Sequence, residues 1–221
     1  MKHIMGPSSK SALTNVREED VQPNAVDLRL GKVFKMSQST FMIDEKEKKH
    51  RGSYEVQPDA NGYYNLPEGH YEVIMENMIT VGENEAGWVI TRSTLNRNGV
   101  FLTSGLYDSG YDGVMAGVMH VSVGPMRIQR GTRIGQYLSF NAEALHQYDG
   151  SYGKNKAHDQ KYQGEMTSVD VAAYDATLAL LAGDEEKSHQ IINEALNPPK
   201  RGRGRPVGTT KDKLKEKQNG I

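Results

Sequence analysis

Over roughly the first 140 positions, apolar and polar residues alternate in short runs broken by glycine, proline and asparagine. Residues 32–36 (Lys-Val-Phe-Lys-Met) alternate as a strand does, as do residues 69–76, 87–91 and 133–140. Residues 113–123 are apolar nearly throughout and read as a more deeply buried strand. Short strands with regular turn signals predict a sandwich or barrel, not alternating strand and helix units. Residues 44–65 read as an exposed excursion, with a charge run from Asp44 to Arg51 followed by Pro58-Asp59-Ala60-Asn61-Gly62. The charge run is expected to form a solvated hairpin. From Thr167 the period changes. Val171, Tyr174, Leu178 and Leu181 share a helical face over residues 169–182, with Ser168 as the expected cap. Gly183 stops that helix, Asp184 caps a second one that ends at Leu196, and Pro198-Pro199 closes it. The apolar stripe of this helical hairpin must cover either the β core or a neighbouring subunit.

Composition sharpens the picture. The chain has 221 residues, of which 36% are hydrophobic, so an ordinary core is expected beside polar segments that bury little. It holds no cysteine, which excludes disulfides, thiolate metal sites and cysteine nucleophiles. No apolar run is long enough to span a bilayer, and the N-terminus reads as neither secretory nor lipidated. Acidic and basic residues nearly balance, 28 against 27, yet the last two dozen positions are strongly basic. The expected organisation is an N-terminal segment (1–20), a mainly β domain (21–165), a helical hairpin (166–197) and a basic tail (198–221). The tail has too little to bury to fold alone.

The densest chemistry lies between Thr91 and Gly113. Arg92, Ser93, Thr94, Asn96, Arg97 and Asn98 are donors in one short segment after a strand. Arginine forks match phosphate oxygens at two points, and the first amides of a helical turn opening at Arg92 would add to them. The other reading is a surface turn with casual donors. Gly105, Gly110 and Gly113 permit a tight hairpin carrying Asp108, which is either a general base or a turn cap. Tyr111 offers a flat face for a base or sugar, or simply packs. Residues 131–136 form a further glycine-flanked donor segment, or a plain turn into a strand.

In order, these segments resemble the dUTPase and dCTP deaminase superfamily. Asp27-Leu28-Arg29-Leu30-Gly31 is similar to its first motif, in the deaminase form. Arg92-Ser93-Thr94 is similar to the second, and Gly105-Leu106-Tyr107-Asp108-Ser109-Gly110-Tyr111-Asp112-Gly113 to the third. Gly131-Thr132-Arg133-Ile134-Gly135-Gln136 is similar to the fourth, and Lys161-Tyr162-Gln163-Gly164-Glu165 to a deaminase-type lid. The resemblance spans residues 21–165. It implies a mainly β, distorted barrel or jelly-roll subunit and a homotrimer with sites between subunits. It also implies a deoxynucleoside triphosphate held with Mg²⁺, mainly through phosphates and water. On that resemblance Arg92, Ser93, Thr94, Arg97 and Gln136 meet the phosphates. Thr103, Ser104 and Gly105 read the base edge, and Tyr111 packs under the deoxyribose. Lys161 and Tyr162 belong to the lid, Asp108 activates the water, and Asp27 is structural.

Deaminases of this superfamily carry a glutamate five residues after the third motif's last glycine. Here that position is Val118, and no carboxylate lies in its strand. Deamination then lacks its proton carrier. Pyrophosphate release needs only an oriented water and donors on the phosphates. The resemblance therefore implies a dUTP diphosphatase. The alternatives are a weakly active or inactive trimer associated with DNA, and a dCTP deaminase. His120, on the Val118 strand, reads as a core or interface histidine, or as a group acting on the base.

The tail carries Arg201 and then Arg203-Gly204-Arg205-Pro206, which resembles an AT-hook. An extended Arg-Gly-Arg fits the narrow, electronegative minor groove of AT-rich DNA, while the flanking lysines meet phosphates. The other reading is a nonspecific basic tail. A compact nucleotide enzyme with such a tail suits a DNA virus or phage, working in the host cytoplasm.

Overall fold

The computed structural model describes residues 1–154 and 168–197, without the Ser168 side chain. Lys161, Tyr162 and the AT-hook-like Arg201, Arg203, Gly204, Arg205 and Pro206 lie outside the described residues, as does the expected capping side chain of Ser168.

The described residues form twelve strands: β1 (Ala12–Leu13), β2 (Val26–Met36), β3 (Met42–Ile43), β4 (Lys48–Lys49), β5 (Ser53–Val56), β6 (Tyr63–Leu66), β7 (Gly69–Thr80), β8 (Glu85–Thr91), β9 (Val100–Thr103), β10 (Asp112–Val121), β11 (Met126–Gln129) and β12 (Arg133–Asn141). The helices are a single turn α1 (Ser93–Asn96), then α2 (Ser168–Leu181) and α3 (Glu185–Leu196). The main sheet runs β8-β12-β2-β7-β10-β9, with β1 on β7 and β5 on β2. Its two ends meet through side chains. The Leu102 amide donates to Thr91 Oγ1 (2.7 Å), and the Val89 amide donates to Ser104 Oγ (3.1 Å). The result is a nearly closed, mainly β barrel, the fold class the strand pattern predicts.

Alternation does the sorting. On β7, Tyr71, Val73, Met75 and Ile79 point into the core, while His70, Glu72, Ile74 and Glu76 lie on the other face. Gly87 is required where β8 crosses β12, because a Cβ there would lie 2.4 Å from Tyr137 Oη. The charge run does form an exposed hairpin, β3 with β4. The later part of residues 44–65 corrects the expectation of an exposed excursion. β5 pairs with β2 and β6 with β11, and Val56, Tyr64 and Leu66 are buried in the core. The polar turn Asp59-Ala60-Asn61-Gly62 had masked two short strands.

Both C-terminal helices form as predicted. The Asp184 side chain accepts from the Lys187 amide (2.9 Å), and Gly183 turns the chain at φ +79°. Tyr174 is the docking residue: its ring meets Tyr71 and Tyr54 edge-on, each at 6.4 Å, and its hydroxyl donates to the Asn65 carbonyl. The stripe thus covers the β core, with Leu181 left exposed and Ala176 and Ala179 buried in its stead.

The first residues are tied to the barrel by one buried carboxylate. Glu85 accepts from the Lys2 ammonium (2.7 Å), the Lys10 and Ser11 amides and the Ser9 and Ser11 hydroxyls. Burial alone would raise its pKa, but these donors bring it down to about 2. A folded pKa below the unfolded value stabilises above about pH 4.5 and is lost as pH falls toward 2. In thermal melts taken across pH, Glu85→Gln is expected to lower Tm at pH 6 and to show a shallower decline below pH 4.5. A decline parallel to wild type would mean that other carboxylates carry the acid sensitivity.

Candidate functional site

The Asp-Leu-Arg-Leu run puts its charges on the buried β2. Asp27 is fully buried, with a carboxylate shared by three donors. Arg92 Nε lies 3.3 Å from Oδ2, Arg133 Nη1 donates to Oδ2 (3.2 Å), and Gln136 Nε2 donates to Oδ1 (3.1 Å). Strand register explains the gathering, since Gln136 on β12 pairs with Asp27. Arg29, two residues on, forks onto Asp20 and donates to the Gly131 carbonyl (2.9 Å), which fixes the 131–136 turn. Burial would raise the Asp20 pKa, but Arg29 and the Arg17 amide hold it below the ordinary carboxylate range.

Arg92 stands in extended backbone at the start of α1, so Ser93 and Thr94 open the helical turn. Both are exposed, as is Arg97 at its end. Two of the five predicted phosphate residues are therefore built around one anchor: Arg92 and Gln136 are preset by Asp27, while Ser93, Thr94 and Arg97 face solvent beside them.

The base-edge segment follows β9. Thr103 is exposed, and its hydroxyl lies 3.0 Å from His120 Nε2. Ser104 is spent on closing the barrel, and Gly105 borders open space. Asp108 is exposed, and its carboxylate has no hydrogen-bond or ion-pair partner among the described residues. It lines a cavity of about 570 Å³ with Glu85, Leu106, Ser109, His146 and Tyr148. Tyr107 beneath it is buried and stitches the hairpin to β10, its hydroxyl donating to the Ala116 carbonyl and accepting from the Ala116 amide (both 3.1 Å). Burial pushes that phenol well above the ordinary range.

Tyr111 and His120 each have defined surroundings in this chain. Tyr111 presents no open face: it is 7% exposed, its hydroxyl donates to the Val114 carbonyl (2.7 Å), and Tyr107 and Tyr148 close on its ring edge-on at 5.4 and 5.3 Å. His120 is not a core histidine, since it lies on the outer face of β10 opposite His70. The phosphate donors and Asp108 also stand apart within one chain. Gly87 on β8 bridges to Tyr107, and Arg92 lies five residues beyond Gly87, just past the end of β8, about 16 Å at strand rise. Asp27, Arg133 and His70 were not among the expected ligand contacts. Their signal was a polar residue at an inward strand position, and a histidine on each of two neighbouring strands. Among the described residues no group of three His, Cys, Asp or Glu side chains could hold a metal ion, and no helix is long and apolar enough to cross a membrane.

The barrel and its ordered motifs define a nucleotide-handling class. The family model described as dCTP deaminase-like matches residues 5–141, and the chain belongs to that family. It is 32% identical over 133 residues to the deoxyuridine 5′-triphosphate nucleotidohydrolase of Methanocaldococcus jannaschii, covering 59% of this chain and 85% of that protein. It is also 32% identical over 142 residues to a probable enzyme of the same name from Halobacterium salinarum, covering 62% and 85%. To the dCTP deaminase of Acidianus ambivalens it is 27% identical over 154 residues, covering 70% and 84%.

Proposed function

We propose that this protein hydrolyses dUTP to dUMP and pyrophosphate. The observation that carries the reading is the buried Asp27 carboxylate, which presets Arg92, Arg133 and Gln136 beside the α1 turn. Fixed donors of this kind stabilise charge as it develops on a leaving pyrophosphate, at no reorganisation cost. Relatives named as dUTP nucleotidohydrolases support the choice of substrate. In this reading Thr103 and Gly105 meet the base, and Asp108 takes the proton of the attacking water as the bond to the pyrophosphate breaks. Arg92, Ser93, Thr94, Arg97 and Gln136 hold the phosphates, Lys161 belongs to the substrate-binding set, and Tyr162 is assigned to the base. Tyr148 and its segment must shift for Tyr111 to reach the sugar.

Mg²⁺ would be held mainly by phosphate oxygens and water, the hard ligands it prefers. When bound it neutralises phosphate charge. The separation of Asp108 from Arg92 supports a homotrimer whose sites combine two chains. Contact of the basic tail with AT-rich DNA belongs to the same reading, on its Arg-Gly-Arg-Pro alone.

One observation favours deamination as a second reading. Val118 has Glu72 as its cross-strand neighbour on β7, and burial pushes that carboxyl up to about 7. A panel of deoxynucleoside triphosphates with Mg²⁺, following pyrophosphate and ammonia separately, decides between them. Pyrophosphate from dUTP without ammonia from dCTP is expected. Ammonia from dCTP would give the second reading the site.

A further inference from the structure

Outside the phosphate anchor, a polar relay crosses the outer face of the barrel. His70 on β7 and His120 on β10 are direct cross-strand partners. Their rings meet edge-on at 5.0 Å, with Nδ1 facing Nδ1 at 3.0 Å. His120 Nε2 then lies 3.0 Å from Thr103 Oγ1, and Thr103 pairs in register with Val118. The Thr103 hydroxyl also points toward the Val118 carbonyl at 3.4 Å, a weak bond. We propose that the His70–His120–Thr103 relay determines base specificity, because the proton held between the histidines sets whether Thr103 offers a ligand a donor or an acceptor. This rests on the reading that Thr103 meets the base.

The logic follows from counting protons. One proton sits between the two Nδ1 atoms. If His70 donates it, His120 carries its own proton on Nε2 and donates to Thr103, whose hydroxyl hydrogen is then free for a ligand. If His120 donates it, Nε2 is bare and takes the Thr103 hydrogen, leaving only lone pairs for a ligand. The first state suits the uracil 4-oxo group, and the second suits the cytosine 4-amino group. Adding a proton to the pair removes the second state, because His120 Nε2 then carries hydrogen whichever ring holds the proton between the Nδ1 atoms. Acid therefore favours uracil. Burial, and then repulsion from His70, holds the His120 pKa below the ordinary histidine range, so the change falls on the acid side of neutrality.

Other groups border the relay. Glu72 stands two residues along β7, Glu68 lies in the turn before it, and Lys35 on β2 lies over the Tyr71 ring at 4.8 Å. β9 contributes Phe101 and Thr103, neither of which titrates. Glu72, at about 7, titrates in the same window and is the confounder to remove.

Binding of non-hydrolysable α,β-imido dUTP and dCTP tests the relay between pH 7.5 and 5.5. Each Kd ratio cancels titration that affects both nucleotides alike. In the wild type the preference for dUTP over dCTP is expected to rise about fivefold on acidification, the weight of one neutral hydrogen bond. His120→Gln leaves Thr103 a partner and Glu72 intact but does not titrate, so its ratio is expected to stay flat while both analogues still bind. Thr103→Val should also be flat. A flat wild-type ratio, or the same slope in His120→Gln, overturns the relay while leaving the nucleotide site standing. Failure of both analogues to bind the wild type overturns the nucleotide site and the relay together.

Discussion

Asp108→Asn is expected to lower dUTP turnover by about 10² or more while leaving nucleotide affinity and Tm close to wild type, the usual weight of a lost general base. The side chain is exposed and lacks a partner among the described residues, so the isosteric amide removes basicity without removing a contact. That separates it from a turn cap, whose loss would appear in Tm first. Single-turnover kinetics with saturating dUTP give the comparison. Turnover within a few-fold of wild type would reduce Asp108 to a turn residue. The distance between Asp108 and Arg92 adds a second readout. If two chains share each site, Asp108→Asn and Arg92→Ala chains, each inactive alone, should regain part of the activity when co-assembled.

Asp27→Ala is expected to be the most damaging change in the barrel. It strands Arg92, Arg133 and Gln136 around a cavity where their shared acceptor stood. Breaking a buried pair costs about 3 kcal/mol at the low end, which applies here because both guanidinium groups reach solvent. Asp27→Asn keeps the shape and removes the charge, so it isolates orientation from packing. It should hold Tm within a few degrees while weakening binding of non-hydrolysable dUTP about tenfold, as Arg92 loses its fixed pose. Calorimetric melts and titrations on both variants decide it. If Asp27→Asn binds like the wild type, the carboxylate serves the core and not the phosphate donors.

The strands that face water on one side were legible because alternation reports a half-buried surface. Residues 32–36, 69–76 and 133–140 all fall within observed strands. Less could be read where a pattern was short or polar. β5 and β6 hold four residues each, too few for a period to stand out beside the Asp59–Gly62 turn. At the site, sequence order gathered the donors into motifs but not into space. Asp27 was read as structural, yet its place under Arg92, Arg133 and Gln136 depends on the β2–β12 register, which no local pattern encodes. The packing around Tyr111 was hidden for a similar reason. The chain that covers it, at Tyr148, follows some 37 positions later and has no strand or helix signal of its own.

The position of β12 bears on how the molecule is made. This strand is the last of the twelve described, yet it sits between β8 and β2. Until Asn141 has left the ribosome, β2 and β8 each wait with an open edge, and Lys2 lacks the Ser139 carbonyl that its amide bonds. Open, apolar strand edges recruit other chains. The barrel therefore cannot close before β12 has emerged, and its long-range pairings place it among the slower-folding topologies. A chain stalled within residues 125–140 would expose both edges at once and would be a target for chaperones or for aggregation.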